Sequence, residues 1–145
     1  MTYVKAYSVQ LVRDSSVKVE TRLADSSEKI APIVRAYIGE TPKEHFVVLF
    51  MDARNRIIGI NTASVGPLNA SLCHPREVFQ AAILASAAGI VVSHNHPSGD
   101  PTPSPEDREV TRRLVRAGEI LGIPLLDHVI VTADSFYSFR TQGLL

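Results

Sequence analysis

SHNHPSGDPTPSPED, residues 93–107, places His94 and His96 two positions apart, directly after the β-branched run Ile90-Val91-Val92, with Asp107 following where a helix begins. In a strand, side chains at i and i+2 point to one face, so both imidazoles aim at a common point. Imidazole and carboxylate are ligands that suit a borderline metal such as zinc. Three protein ligands leave a fourth position for water, which is the pattern of a catalytic rather than a structural zinc site.

Each piece also has a plainer reading. An isolated His-x-His pair is usually ordinary surface or core histidine. Ser104-Pro105-Glu106-Asp107 reads as a helix start, with Ser at the N-cap, Pro at the first helical position and an acid at the third. That explains Ser104 and Asp107 without chemistry. It does not explain a His-x-His pair one short loop upstream.

Working outward, the chain alternates strands and helices. Tyr3 to Val12 alternates as a first strand, with Val17 to Glu20 as its partner across Asp14-Ser15-Ser16. Ile30, Ile33, Val34, Tyr37 and Ile38 make a helical stripe over Ser27 to Ile38, stopped by Gly39; Pro32 argues for a later start or a kink. Phe46 to Met51 is a near-continuous apolar run, expected as a strand buried on both faces. Asp52 to Asn55 makes a turn, and Ile57 to Thr62 returns as the hairpin partner. Ala63 to Cys73 reads as a loop. Pro75 opens a helix through Val78, Phe79, Ala82, Ile83 and Ser86, closed by Gly89. Pro97 to Pro103 is too broken for regular structure and should cross next to the metal. Val110, Leu114, Ala117 and Leu121 give the following helix its core face. Val129 to Thr132 and Phe136 to Phe139 are final strands. The order predicts an α/β domain with a mixed central β-sheet flanked by helices.

At 145 residues a single domain, 1–145, is the natural count. The chain is 45% hydrophobic with nine prolines and eight glycines, an ordinary globular profile. No apolar run approaches the roughly 20 residues needed to span a bilayer, and MTYVKAYSVQ has no secretory h-region. One cysteine, Cys73, excludes an internal disulfide and suits a reducing cytoplasm. Fifteen basic and fifteen acidic residues leave no global footprint of a nucleic-acid binder. Arg108, Arg112 and Arg116, with Arg113 beside them, form a basic stripe that could meet phosphates but reads better as a solvated face paired with Asp107 and Glu109.

The spacing His94-x-His96, seven residues, Ser104, two residues, Asp107 resembles the JAMM (MPN+) metalloprotease signature. The wording HNHPSGDPTPSPED, with HPREVFQAAI before it and GIPLLDHVIV after it, resembles the RadC branch of that superfamily, over about Glu44 to Arg140. The resemblance implies a JAMM (cytidine-deaminase-like) architecture with one zinc per chain held by His94, His96 and Asp107. It implies that Ser104 helps hold the water and the developing oxyanion. It assigns the general base to a glutamate opening a strand that follows a helix; Glu44, at the head of EHFVVLFMD, fits, with Glu40 a near rival in the turn beside Gly39. Glu77 is better read as a charge at a helix N-terminus. The implied activity is zinc-dependent hydrolysis of a peptide or isopeptide bond in a peptide or protein substrate. The alternative is a DNA-repair accessory or nuclease, as the RadC name suggests. RadC-like proteins often carry a helix-hairpin-helix region before the metal domain, and this chain is too short for one.

The chemistry stands without the family. Zinc lowers the pKa of bound water from 15.7 to about 7. A carboxylate in reach can take the proton, and a hydroxyl near the metal can steady a tetrahedral oxyanion. Competing readings lack residues: zinc deaminases need H-x-E and P-C-x-x-C, and H-E-x-x-H is absent. A Cys73–His74 nucleophile pair is disfavoured because adjacent loop residues seldom orient that way. His74 is expected to cap a helix and His45 to be structural. Asp127-His128 could form a pair behind the ligands. Asp100 is a possible substrate contact.

Overall fold

The apolar run around Phe46 forms the middle of the fold because neither of its faces can meet water. The computed structural model describes the whole chain except Ala70 and Leu72, and those two residues of the predicted 63–73 loop lie outside it. Among the described residues the order is α1 (Ser27–Ile38), β1 (His45–Met51), β2 (Ile57–Val65), α2 (Pro75–Leu84), β3 (Gly89–Asn95), α3 (Pro105–Leu121), β4 (Leu125–Val131) and β5 (Phe136–Ser138). The strands make one mixed sheet in the order β2-β1-β3-β4-β5, with β3 and β4 parallel and the other neighbours antiparallel.

Alternation sorts the core into two layers. Phe46, Val48, Phe50, Ile90 and Val92 pack with Val78, Phe79, Val110 and Leu114 of α2 and α3. Val47, Leu49, Met51, Val91 and Val129 pack with Ile30, Ala31 and Val34 of α1. The expected α/β class with helices flanking a mixed sheet therefore holds. The parallel β3–β4 pair needs a crossover, which α3 provides, and it brings the start of α3 to the C-terminal end of β3. Ligand sites of α/β sheets form at such ends.

Several boundaries differ from the sequence expectation. Neither Tyr3 to Val12 nor Val17 to Glu20 forms a strand. Tyr3, Val4, Tyr7, Val9 and Val12 are exposed, since an alternating segment becomes a strand only beside a free edge, and this one meets none. Contact with the sheet comes at Arg22, whose carbonyl accepts from the Ile57 N–H at 2.8 Å, and at Leu23, bridged to Arg56. Helix α1 runs from Ser27 straight through Pro32: its buried face holds it, and Arg35 donates to the carbonyls of Thr132 and Ser135, both at 2.8 Å. Ala63 to Val65 extend β2 rather than opening a loop. Helix α2 stops at Leu84 with Ala85 as its cap; Gly89 instead begins β3, where a side chain would crowd Leu126 and the Pro124 carbonyl. No helix of the described residues is long and apolar enough to cross a membrane.

The core face of α3 also ends differently. Leu121 is 45% exposed, and Gly118 takes the inward position at the last turn. A Cβ on Gly118 would lie 2.6 Å from the Ile123 carbonyl oxygen and 3.3 Å from the Leu125 backbone nitrogen, and backbone cannot turn aside. Gly118→Ala, normally a helix-favouring change, is expected to lower stability by about 1–3 kcal/mol in urea unfolding. A gain in stability would show that the α3–β4 contact is looser than described.

Candidate metal centre

Strand β3 ends with His94 on the face towards α2 and α3. His96, just beyond the strand, keeps the same side and is held by its backbone N–H to the Val131 carbonyl at 2.9 Å. Asp107 comes from the first turn of α3 through a capping box. The Asp107 N–H donates to Ser104 Oγ at 3.1 Å, and the Ser104 N–H donates to Asp107 Oδ2 at 2.8 Å. The helix-start reading of Ser104 and Asp107 holds, and the same cap aims the Asp107 carboxylate towards the two histidines. The helix N-terminus favours its negative charge.

His94 Nε2 and His96 Nε2 lie 3.0 Å apart. Asp107 Oδ1 is 3.3 Å from the first and Oδ2 3.2 Å from the second. His94 and Asp107 are buried and His96 half-buried. Among the described residues these three form a group that could hold a metal ion. Such spacings fit ligands sharing one ion at about 2.0–2.2 Å. Two ring nitrogens and a carboxylate facing one point are also short of positive charge, and the electrostatics reflect it. Burial alone would raise the pKa of Asp107, yet bonding to His94 and His96, with the Ser104 amide, holds it well below the usual carboxylate range. The bond to Asp107 raises His96 against the opposing effect of burial, and the Asp100 carbonyl and the charges of Asp107 and Glu44 add to the rise.

Behind His94 lies a second buried layer. His94 Nδ1 is 2.8 Å from His128 Nε2, and His128 Nδ1 is 2.7 Å from Thr111 Oγ1. The ring of His128 is stacked on Phe139, with centroids 4.6 Å apart, and edge-on to Phe46. Burial pushes the pKa of His128 well below the ordinary histidine value, and the neighbouring His94 pushes it further.

A profile of the RadC-like JAB domain matches residues 24–144. The chain belongs to the RadC-like JAB family. The match begins ahead of α1, earlier than the motif-bearing part alone. A UPF0758 protein of Caldanaerobacter subterraneus subsp. tengcongensis is 49% identical over 128 residues, covering 88% of this chain and 55% of the relative. One of Symbiobacterium thermophilum is 55% identical over 102 residues, covering 70% and 44%. One of Thermotoga maritima is 44% identical over 147 residues, covering 98% and 66%. The chain spans about half to two-thirds of the length of these relatives.

The structure of this RadC-like JAB domain also places the other residues singled out by the sequence. Phe46 pairs with His94, and Glu44 lies just ahead of β1, near enough to His96 for its charge to raise that ring's pKa. Glu44 Oε2 accepts from the Leu68 N–H at 3.0 Å, whereas Glu40 is exposed in its turn. Glu77 is exposed in the first turn of α2, as a helix charge. His74 caps α2, its Nδ1 accepting from the Arg76 N–H at 3.1 Å. Cys73 is buried, and burial first, then the charge of Glu77, pushes its thiol up to about 11, so no thiolate pair with His74 forms. His128 does stand behind the ligands, but Asp127 faces the other way and binds Ser138 Oγ at 2.6 Å and the Arg140 N–H at 3.0 Å. Asp100 lends its carbonyl to His96 Nδ1 at 2.8 Å, while its carboxylate accepts from the Thr102 N–H. Arg108, Arg112 and Arg116 are exposed; Asp107 turns inward and cannot pair with them.

Two contributors were missed in the sequence. Asn95, between the histidines, accepts from the His45 N–H at 2.7 Å and donates to the Lys43 carbonyl at 3.0 Å, clamping the backbone on both sides of Glu44. Thr111 was passed over, although a Thr four residues after Asp107 on a buried helix face is a visible signal. An apolar groove of about 640 Å³ lies between α2 and the C-terminal end of α3, the end opposite Asp107.

Folding raises the pKa of His96 above 6.5, so the protonated ring stabilises the metal-free protein fully below that value. The contribution is lost as pH rises through the raised value. In urea unfolding with chelator present, the stability advantage of the wild type over His96→Gln is expected to shrink as pH rises above about 6.5. An advantage that grows over that window would contradict the pairing. Metal requires the deprotonated ring, so metal affinity is expected to run the opposite way.

Proposed function

We propose that this chain is a zinc-dependent hydrolase of the JAMM type, a metallopeptidase or isopeptidase that cleaves an amide bond in a peptide or protein. The observation that carries the reading is the convergence of His94, His96 and Asp107, with Glu44 near enough for its charge to act on His96. Imidazole and carboxylate donors suit zinc, and three of them leave a coordination position free. The ion supplies Lewis acidity and makes water available as hydroxide near neutral pH, its pKa falling from 15.7 to about 7.

The protein groups divide the remaining work. The Leu68 N–H holds one oxygen of Glu44, and the carboxylate so oriented would take a proton from water and return it to the departing amine. Ser104 Oγ accepts from Asp107, and its own hydrogen can be donated to the carbonyl oxygen as negative charge develops. Among the described residues the outer edge of β2 has no partner strand beyond the Leu23–Arg56 bridge at its start, and its end at Val65 pairs with His45 beside Glu44. An extended peptide added there would lead towards the site. A lone, buried Cys73 is compatible with work in a reducing cytoplasm.

A nucleic-acid role is the second reading, favoured by the exposed stripe of Arg108, Arg112 and Arg116. It requires salt-sensitive DNA binding that falls in Arg112→Ala/Arg116→Ala.

Glu44→Ala and Glu44→Gln are expected to retain zinc at the wild-type stoichiometry and to lose about 10²–10⁴-fold in hydrolysis of a peptide or isopeptide substrate found by screening. Loss of the metal in either variant would make Glu44 a ligand and remove the base assignment. Unchanged hydrolysis would pass the role to Glu40.

A further inference from the structure

We propose that Thr111 and His128 are positioning residues that fix the tautomer of His94, leaving its Nε2 bare for the metal. The inference rests on the metal-centre reading and extends it from the three ligands to the buried chain behind them.

Thr111 Oγ1 carries one hydrogen. It lies 2.7 Å from the backbone carbonyl oxygen of Asp107, an atom that can only accept, so the hydrogen points there. The same Oγ1 is 2.7 Å from His128 Nδ1 and can now only accept, so His128 carries a hydrogen on Nδ1. His128 is fully buried among Phe46, Phe139 and His94 and is neutral, which leaves a lone pair on Nε2. That lone pair faces His94 Nδ1 at 2.8 Å, so His94 donates from Nδ1. A neutral His94 protonated at Nδ1 presents an unprotonated Nε2 to His96 and Asp107.

The opposite polarity would put a hydrogen on His94 Nε2 and block it. It would also leave the oxygens of Thr111 and Asp107 facing each other at 2.7 Å with no hydrogen between them. The chain joins α3, β4 and β3, and it runs from the carbonyl of one ligand to the ring of another. His96 is set the same way by a simpler device, its Nδ1 facing the Asp100 carbonyl. A donor hydrogen bond on the far nitrogen both selects the tautomer and orients a ligating histidine.

The test uses the full ¹⁵N-labelled chain, with and without zinc, and reads the imidazole tautomers from long-range ¹H–¹⁵N spectra. Zinc affinity is measured beside this by chelator competition for the wild type, Thr111→Val and Thr111→Ser. Nδ1–H tautomers at His128 and His94 are expected, with zinc affinity about 10–100-fold weaker in Thr111→Val and restored in Thr111→Ser. An Nε2–H tautomer at His128 overturns the proposal, and the wild-type spectrum decides this even if Thr111→Val does not fold. Wild-type zinc affinity in Thr111→Val, or no recovery in Thr111→Ser, overturns it too and leaves the metal centre standing. A wild type that binds no zinc removes the metal centre itself, whatever the tautomers.

Discussion

The capping box at the start of α3 joins the fold to the site. Asp107 is the third residue of that helix and the only anionic member of the ligand group, and the same carboxylate closes the cap through the Ser104 N–H. Its direction is therefore set by the helix beginning at Pro105. The helix begins there because the parallel β3–β4 pair needs a crossover across the sheet. Moving the start of α3 by one residue would turn the carboxylate by roughly 100° about the helix axis and away from both histidines. Strand pairing, crossover, cap and ligand form one sequence of constraints.

That geometry brings acceptors together and leaves them without a matching cation from the protein. Two imidazoles and a carboxylate are held within contact of one another, with the charge of Glu44 acting on His96. Among the described residues the answer to this cluster is a proton, through the raised affinity of His96. A divalent ion would relieve the same shortage more completely. Phe46 and Phe139 fix the ring of His128, and Asn95 fixes the backbone beside Glu44.

What could be read in the sequence was what local periodicity controls. The run Phe46 to Met51 is buried on both faces, His94 and His96 share a side, and Ser104 to Asp107 cap a helix, because each depends on neighbours a few residues apart. The failures were non-local. Tyr3 to Val12 has strand-like alternation but is not docked on either edge of the sheet. Leu121 continues the apolar stripe of α3, but the chain turns back beneath Gly118, so contact with Ile123 decides which residue faces inward. Gly89 reads as a helix stop and is instead the close-packed first residue of β3. Asn95 and Thr111 act on partners 52 and 17 residues away, and such pairings follow from sheet register rather than spacing.

Metal content tests the account most directly. The full chain, given zinc and then desalted, would be measured by mass spectrometry beside a His94→Ala/His96→Ala variant. The account predicts about one zinc per chain in the wild type and none in the variant. A folded wild type that retains no metal would contradict it, and Ser104 and Asp107 would then be a helix cap and nothing more.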